Sequence, residues 1–411
     1  MKIGQVVKKY GIPADSIYFY IKSGLLVPQR KNGQYIFDER TVEDLEWILK
    51  MKEMEFPLKG IHRILSLKRV SNLSTNEDKL ELVEILEAQN EELHREQMRL
   101  EESRQKIRKA ASEWRQKMVF VAEESGFPIA MLGLLACPRC GGELGLSGVM
   151  MNQKAIFQAD LQCACGYRAA IRDGILETGQ VNESLYDKPD TTRELYKDLP
   201  SETLSLFEQS YRWLESRVAA PEHHGKIWLE GHVNAWFFFH NHLKLLKPED
   251  GLIVTDKFPE TLRSYRKVME HQGIPCPVMY LADAKEELPL KKEAVDRIMD
   301  FFGTNEHSFY SPEFYPDRMF PYLKRNAEIF GVYFSFKNGT KSIEALLREY
   351  PECNRSNFNI RWFREHLQKN YHILENDNCG FSRNSGKNLG LGFHVPGEEL
   401  HLTAWHAEVK K

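Results

Sequence analysis

Between Asn76 and Met118 the chain contains neither glycine nor proline, and Glu, Lys, Leu, Gln and Arg dominate. All five favour helix, so the stretch reads as one uninterrupted helix. Leu86, Leu93, Leu100, Ile107 and Trp114 recur every seven residues, which is one seam of a heptad. Leu82, Val83, Ala110 and Ala111 hold the flanking seam, whose middle is polar at Gln89, Asn90, Glu96, Gln97 and Arg104. A half-polar seam suits the pairing of two helices better than a large bundle. The alternative is a helix that packs on its own C-terminal domain.

The 411 residues leave room for two or three domains. The net charge of -3 excludes a uniformly basic nucleic-acid coat, but it hides an asymmetry. Residues 1–70 carry 13 Lys and Arg against 8 Asp and Glu, so the first part is basic and the remainder acidic. Met1-Lys2 leads straight into an amphipathic segment, and no secretory signal is read there. The longest apolar run, Phe127 to Cys137, is too short to span a bilayer, so no membrane partner is expected. Four of the seven cysteines cluster at metal-ligand spacing, which favours a reducing compartment.

The N-terminal pattern is ordered and nearly gap-free. A helix from Ile3 to Tyr10 is followed by a turn at Gly11-Ile12-Pro13 and a second helix from Ala14 to Ser23. Gly24-Leu25-Leu26 leads to a basic wing, Arg30-Lys31-Asn32-Gly33-Gln34-Tyr35, and a helix pair closes with FPLKGIHRIL. A helix that reads the major groove needs polar side chains near its start. Asp15, Ser16, Tyr18 and Tyr20 are candidates, with Ile17, Phe19 and Ile21 among them and partly facing the core. The tyrosines can donate to phosphate oxygens, and Gly33 permits a tight turn in the wing. The stretch from Ile12 to Leu65 resembles the MerR family of bacterial transcription regulators.

That resemblance implies a winged helix-turn-helix over residues 1–75, with Ser16, Tyr18, Tyr20, Arg30, Lys31, Asn32, Gln34 and Tyr35 against double-stranded DNA. Lys59, Gly60 and His62, after Pro57, lie where the family makes further phosphate contacts. It also implies a dimerisation coiled coil over residues 76–122, paired antiparallel in a homodimer whose twofold axis matches a palindromic promoter. RNA polymerase is then an indirect partner, through the distorted promoter spacer. A nucleoid location in the bacterial cytoplasm follows. Many members carry Arg at the positions of Asp15 and Tyr18, so sequence specificity is not carried over and affinity rests more on the wing.

Cys137-Pro-Arg-Cys140-Gly-Gly and Cys163-Ala-Cys165-Gly-Tyr are separated by 22 residues. Two close pairs on glycine-bearing turns are what a tetrahedral thiolate site needs, although the second pair is CxC. Between them lie strand-like runs, LGLSGVMM and KAIFQADLQ. Residues 127–179 therefore read as a zinc ribbon with a closed, structural Zn(2+) site. Free buried thiols and a redox or metal-sensing role are the alternatives. Cys276, Cys353 and Cys379 read as structural.

From about Glu183 strands and helices alternate, which argues for an α/β sheet. The strands are Lys226 to His232, Gly251 to Asp256, Pro277 to Ala284, Val295 to Gly303 and Ala327 to Phe336. A helix in FPETLRSYRKVMEHQG follows the second. Residues 183–411 resemble a class I S-adenosylmethionine-dependent methyltransferase of Rossmann type, well over Leu195 to Phe336 and weakly beyond. A zinc ribbon ahead of such a domain is similar to certain rRNA guanine methyltransferases. The fold class expected for the whole chain is multidomain α+β.

The resemblance places Asp256 on the cofactor's ribose and Asp283 against its adenine. Glu230 aligns with the family's acidic residue on strand one, and Asp300 follows strand four. The family needs glycines after strand one, and His232, Asn234 and Trp236 stand there instead. Asp300-Phe301-Phe302-Gly303 lacks the Pro-Pro-aromatic signature of amino-group methylation. Glu230, Asp256, Asp283, Ala284 and Asp300 are therefore candidates for binding a small ligand, S-adenosylmethionine included, with no catalytic residue assigned. The rings of Trp228, Trp236 to Phe239, Phe301 and Phe302 line an apolar pocket or fill the core.

The reading is a dimeric transcription regulator, not an enzyme, that senses a small ligand through a degenerate methyltransferase-like domain. An S-adenosylmethionine-dependent nucleic-acid methyltransferase targeted by a DNA-binding dimer is the alternative from another class. A regulator whose C-terminal domain is only a scaffold or partner surface is the third.

Overall fold

The first two helices, α1 (Ile3–Tyr10) and α2 (Ala14–Lys22), are joined by Gly11, whose φ of 68° is the left-handed conformation that ends a helix cheaply. In the computed structural model, residues 1–117, 125–192, 199–337, 340–386 and 391–410 are described. The expected helix end at Met118, the 118–122 end of the dimerisation segment, Leu195 and Lys411 lie outside them. The chain divides into two compact units, Met1–Val119 and Phe120–Lys411.

In the first unit, strands β1 (Gln29–Lys31) and β2 (Gln34–Ile36) pair antiparallel, with Lys31 opposite Gln34. The two-residue connection is Asn32-Gly33, with φ of 49° and 76°. Both signs are positive, as a type I′ hairpin turn requires, and Asn-Gly is its preferred pair. Helices α3 (Glu39–Glu53) and α4 (Leu58–Ser71) cover the module, and α5 (Asn76–Lys117) leaves it. Asp38 caps α3 by accepting from the Thr41 amide at 2.9 Å. Thr75 and Asp78 start α5 with reciprocal hydrogen bonds of 3.2 and 3.1 Å.

Val6, Ile17, Leu25, Phe37, Leu45, Ile48, Ile61 and Leu65 make the core of this unit. Phe19 is not part of it: 49% of the ring is exposed, because a helix turns by about 200° between residues 17 and 19. Arg69 on α4 fixes the whole arrangement. Its guanidinium donates to Asp44 of α3 at 2.8 and 3.0 Å, and to the carbonyl oxygens of Gly24 and Leu25 at 3.3 and 2.5 Å. One buried carboxylate and the two carbonyls just after α2 thus share one guanidinium, with Lys68 3.3 Å from the same carboxylate.

On α5 the heptad seam has two parts. Leu82, Ile85 and Leu86 pack on the unit's own core. Leu93, Leu100 and Ile107 are exposed, Ile107 by 68%.

In the second unit, β3 (Phe127–Pro128), β4 (Gly145–Met151), β5 (Ala155–Gln162), β6 (Arg168–Arg172) and β7 (Ile175–Glu177) form the ribbon region. Asp173-Gly174, with φ of 50° and 70°, make a second I′ turn between β6 and β7. Helix α6 (Ser201–Val218) precedes β8 (Ile227–Gly231), α7 (Phe238–Asn241), β9 (Gly251–Asp256), α8 (Pro259–Gln272), β10 (Val278–Ala282) and β11 (Val295–Phe301). Next come α9 (Gly303–Tyr310), α10 (Tyr315–Met319), β12 (Leu323–Phe336), α11 (Thr340–Glu349), α12 (Ile360–Asn370), β13 (Tyr371–Ser382) and β14 (Leu400–Val409).

Twelve strands form one sheet in the order β13-β14-β12-β11-β8-β9-β10-β7-β6-β5-β3, with β4 on β5. Strands β12, β11, β8, β9, β10 and β7 run parallel, while β14 is antiparallel to β12. The ribbon is therefore continuous with the α/β sheet through the parallel pairing of β7 with β10. Arg266 of α8 reinforces this joint by donating to the Asp173 carbonyl and, at 3.1 Å, to its carboxylate.

Alternation along each parallel strand builds two cores. Trp228, Leu252, Val254, Val278 and Tyr280 face α6 to α8, and Leu229, Ile253, Met279 and Leu281 face α10 and α12. Burial on both sides gives these strands continuous apolar runs. No helix among the described residues is long and apolar enough to cross a membrane.

Replacing Arg69 with Ala removes both guanidinium hydrogen bonds from the buried Asp44 and leaves it Lys68 alone, 3.3 Å away. It should cost the first unit about 3 kcal/mol, read as a lower denaturant midpoint, with Arg69→Lys recovering only part. An unchanged midpoint would remove Arg69 from its structural role.

Candidate functional site

On the first unit, Tyr18 and the half-buried Tyr20 and Ser16 lie on α2, and Arg30, Lys31, Asn32 and Gln34 are exposed on the wing. The Tyr18 and Tyr35 rings meet edge-on at 6.3 Å, and the Arg30 guanidinium lies 5.8 Å over the Tyr35 ring. Helix α2 and the hairpin of β1 and β2 therefore present one continuous surface. Lys59 and His62 are exposed on a separate element, the first turns of α4, where free amides favour an anion.

In the second unit the four cysteine sulfurs lie within 4.8 Å of one another, with Cys137 and Cys165 at 3.4 Å and Cys140 and Cys163 at 3.5 Å. Tetrahedral thiolates at about 2.3 Å from zinc stand about 3.8 Å apart, so the set could hold a metal of this kind. Tight turns shape it: the Gly141 amide donates to the Cys137 carbonyl at 2.8 Å and the Gly166 amide to the Cys163 carbonyl at 3.0 Å. A Cβ on Gly142 would stand 3.3 Å from the Cys140 sulfur. Cys276, Cys353 and Cys379 are buried.

The crevice of an α/β sheet opens where strand order reverses, here at the carboxyl ends of β8 and β11. Three of the candidate carboxylates ring this point, and their oxygens are engaged by their own chain. Glu230 accepts from the amides of Phe238 and Phe239 at 2.5 and 3.1 Å. Asp256 accepts from those of Asn234 and Phe258 at 2.8 and 2.9 Å. Asp300 accepts from the Thr304 amide at 2.8 Å and its hydroxyl at 2.5 Å. Asp283, at the end of β10, accepts from the Thr178 hydroxyl at 2.6 Å and the amides of Lys285 and Glu287. Burial pushes Asp256 and Asp300 up to about 6 against these hydrogen bonds, and raises Glu230 well above the usual carboxylate range. Ala284 is half-buried beside a polar groove of about 700 Å³.

The residues that replace glycine after β8 hold the chain itself over the crevice. His232 keeps a left-handed φ of 55°. Asn234 accepts from the Asp190 amide at 2.8 Å and donates to the Lys188 carbonyl at 3.0 Å. These contacts fasten an irregular strap, residues 180–192. The buried Lys257 pairs with Asp187 of the strap and with Glu306, 3.1 Å away. Three carboxylates hold this lysine protonated, while burial pushes Asp187 up to about 7. Sequence reasoning missed the strap, because its partners only meet once β8 and β9 are side by side.

Beneath the strap is a cavity of about 210 Å³. Phe207, Trp236, Phe302 and Phe334 wall it, and Asn234, Asn305 and Glu306 supply polar edges. Of the rings singled out in the sequence, Trp236 and Phe302 line this cavity, whereas Trp228, Phe237, Phe238, Phe239 and Phe301 are core.

Residues 1–68 match the family described as MerR HTH family regulatory protein. The first 68 residues are thus a MerR helix-turn-helix domain, and the chain carries it ahead of a second unit of different architecture. No curated protein matches the chain. Among solved structures, a SAM-dependent methyltransferase from Aquifex aeolicus is 15% identical, over 54% of this chain and 100% of its own, with a TM-score of 0.36. Phosphoethanolamine N-methyltransferase 2 from Haemonchus contortus is 14% identical, over 50% of this chain and 53% of its own, with a TM-score of 0.36. The MccD protein is 10% identical, over 49% and 96%, with a TM-score of 0.37. The parallel part of the C-terminal sheet runs in the order β12-β11-β8-β9-β10, the doubly wound order of a Rossmann-type α/β fold.

Cys140→Ser should lower bound zinc by one equivalent per chain and unfold the ribbon, because metal binding and folding are coupled there. Full zinc content by metal analysis would refute a four-thiolate site.

Asp187 gives a pH prediction. A carboxyl with a folded pKa above its unfolded one binds more protons when folded. Its contribution therefore falls as pH rises from about 4 through about 7. Asp187→Asn should remove that slope from chemical unfolding curves taken across this range; parallel curves for both proteins would contradict the assignment.

Proposed function

We propose that this protein is a dimeric DNA-binding transcription regulator that grips a palindromic promoter and answers to a small ligand in its methyltransferase-like unit. The observation that carries the reading is the continuous surface of Tyr18, Tyr35 and Arg30 within the MerR-type domain. Ser16, Tyr20, Lys31, Asn32 and Gln34 would extend it along the groove, and Lys59 and His62 would take flanking phosphates. The exposed part of the α5 seam, at Leu93, Leu100 and Ile107, supports pairing with a second copy. A twofold dimer then presents two reading helices to two half-sites, and RNA polymerase meets the protein through the promoter it distorts. Such a protein works in the bacterial cytoplasm, at the nucleoid.

The ribbon would hold one structural Zn(2+) at Cys137, Cys140, Cys163 and Cys165. Segments 1–75, 76–122, 127–179 and 183–411 would act as DNA-binding, dimerising, zinc and effector parts. The effector ligand would enter the aromatic cavity beneath the strap, whose size suits a small apolar molecule with one or two polar groups. Methyl transfer is not part of the proposal. S-adenosylmethionine in the pose that the resemblance implies needs the Asp256 carboxylate, which is buried and already accepts from the amides of Asn234 and Phe258.

The test is selection of genomic DNA by the full-length protein, followed by gel-shift titration and sedimentation. The selected fragment should contain an inverted repeat bound by two chains. Arg30→Ala should weaken binding by about 1–3 kcal/mol. Ile107→Asp should give a monomer that loses specific binding. Unaltered affinity in both variants would sink the docking and dimer assignments together.

A further inference from the structure

Beside the strap, on the polar-groove side, three side chains from separate parts of the fold converge. His232 follows β8, Glu286 lies in the loop after β10, and His307 is on α9. Glu286 Oε1 lies 3.2 Å from His232 Nε2 and 2.9 Å from His307 Nδ1. One donor atom from each residue falls within 4.8 Å of the others. Adjacent ligands about 2.1 Å from a divalent ion stand about 3.0 Å apart in octahedral and about 3.4 Å in tetrahedral geometry, so the spacing already suits one.

A second observation leaves both ring tautomers unfixed. A buried imidazole held only by hydrogen bonds ordinarily satisfies both ring nitrogens. Here His232 Nδ1 and His307 Nε2 are buried without a hydrogen-bond partner, and so is the Tyr315 hydroxyl. Both histidines are more than nine-tenths buried, and the Tyr315 ring centre lies 4.6 Å from that of His232. Moving each ring proton to the outer nitrogen aims two lone pairs and one carboxylate oxygen at a common point. The adjoining groove is lined by six acidic and three basic side chains, a balance that favours a cation. Arg318, 3.7 Å from Glu286 Oε2, orients the carboxylate from behind.

We propose that His232, Glu286 and His307 form a second metal site for a first-row divalent transition cation, chemically distinct from the cysteine cluster. Two imidazoles and one carboxylate favour borderline ions such as Zn(2+), Co(2+) or Fe(2+) over the hard Mg(2+) and Ca(2+). Three protein ligands beside an open groove leave coordination positions for water or a small anionic ligand, unlike four thiolates. The proposal does not rest on the DNA-binding reading or on the aromatic cavity.

The test is titration of Co(2+) into the full-length, metal-stripped protein, followed by absorbance and metal analysis. The wild type should take two equivalents per chain. One should give the intense near-ultraviolet thiolate charge-transfer band, and the other only weak visible absorption. His232→Asn, whose new residue tolerates a left-handed backbone, should take one equivalent and keep the thiolate band. Glu286→Gln, which keeps the shape of the side chain, should do the same. A wild type that takes a single equivalent overturns the proposal, as does a second equivalent that survives in both variants.

Discussion

A carboxylate buried at the end of a parallel strand must find donors, because leaving it without them costs several kcal/mol. Glu230, Asp256 and Asp300 stand in the last two residues of β8, β9 and β11, where a sheet of this kind offers its crevice. Here the donors come from within: the amides of Phe238, Phe239, Asn234, Phe258 and Thr304 turn back onto these oxygens. The loop after β8 can do this because it carries buried side chains where an open, glycine-lined loop would leave space. Everything else at this end of the sheet follows from that closure.

The first consequence is the strap. Asn234 uses its backbone amide on Asp256 and its side chain on the chain at Lys188 and Asp190, so one residue closes the loop and anchors the cover. The second is a division of the crevice into two environments. Beneath the strap lies an aromatic cavity walled by Phe207, Trp236, Phe302 and Phe334. On its other side lies the polar groove with His232, Glu286 and His307. Each environment borders Asp187.

Much of this was legible in the sequence where pattern and structure obey local rules. The wing was visible because Asn32-Gly33 can take two positive φ angles, and β9 was readable end to end because GLIVTD is buried on both faces. The cysteine spacing announced its cluster. The hairpin of β13 and β14 was not legible. Strand β14 is nearly all buried yet contains Thr403, His401 and His406, so neither alternation nor an apolar run marks it. The ribbon's union with the sheet rests on β7, a strand of three residues that no local signal identifies. At the crevice, the departures His232, Asn234 and Trp236 were visible, but their partners were not. His307 and Glu286 are 75 and 54 residues along the chain from His232, and only the packing of α9 against β11 and β12 brings them together.

These constraints decide what kind of response the second unit can give. A ligand changes an equilibrium only by binding one state better than another. Glu230, Asp256 and Asp300 are buried and each already accepts two hydrogen bonds, so a molecule arriving at the switch point gains little from them unless the surrounding loops move. The groups open to a ligand are elsewhere, in the cavity wall and in the cluster of His232, Glu286 and His307. Both sets lie against the strap, which is held by Lys257 and Asn234 rather than by a sheet or helix of its own. An element fastened by a few polar contacts can rearrange at lower cost than a strand buried on both faces. Occupancy of either side would therefore be felt first at Asp187, Lys188 and Asp190, and the sheet beneath would act as the rigid frame against which that change is measured.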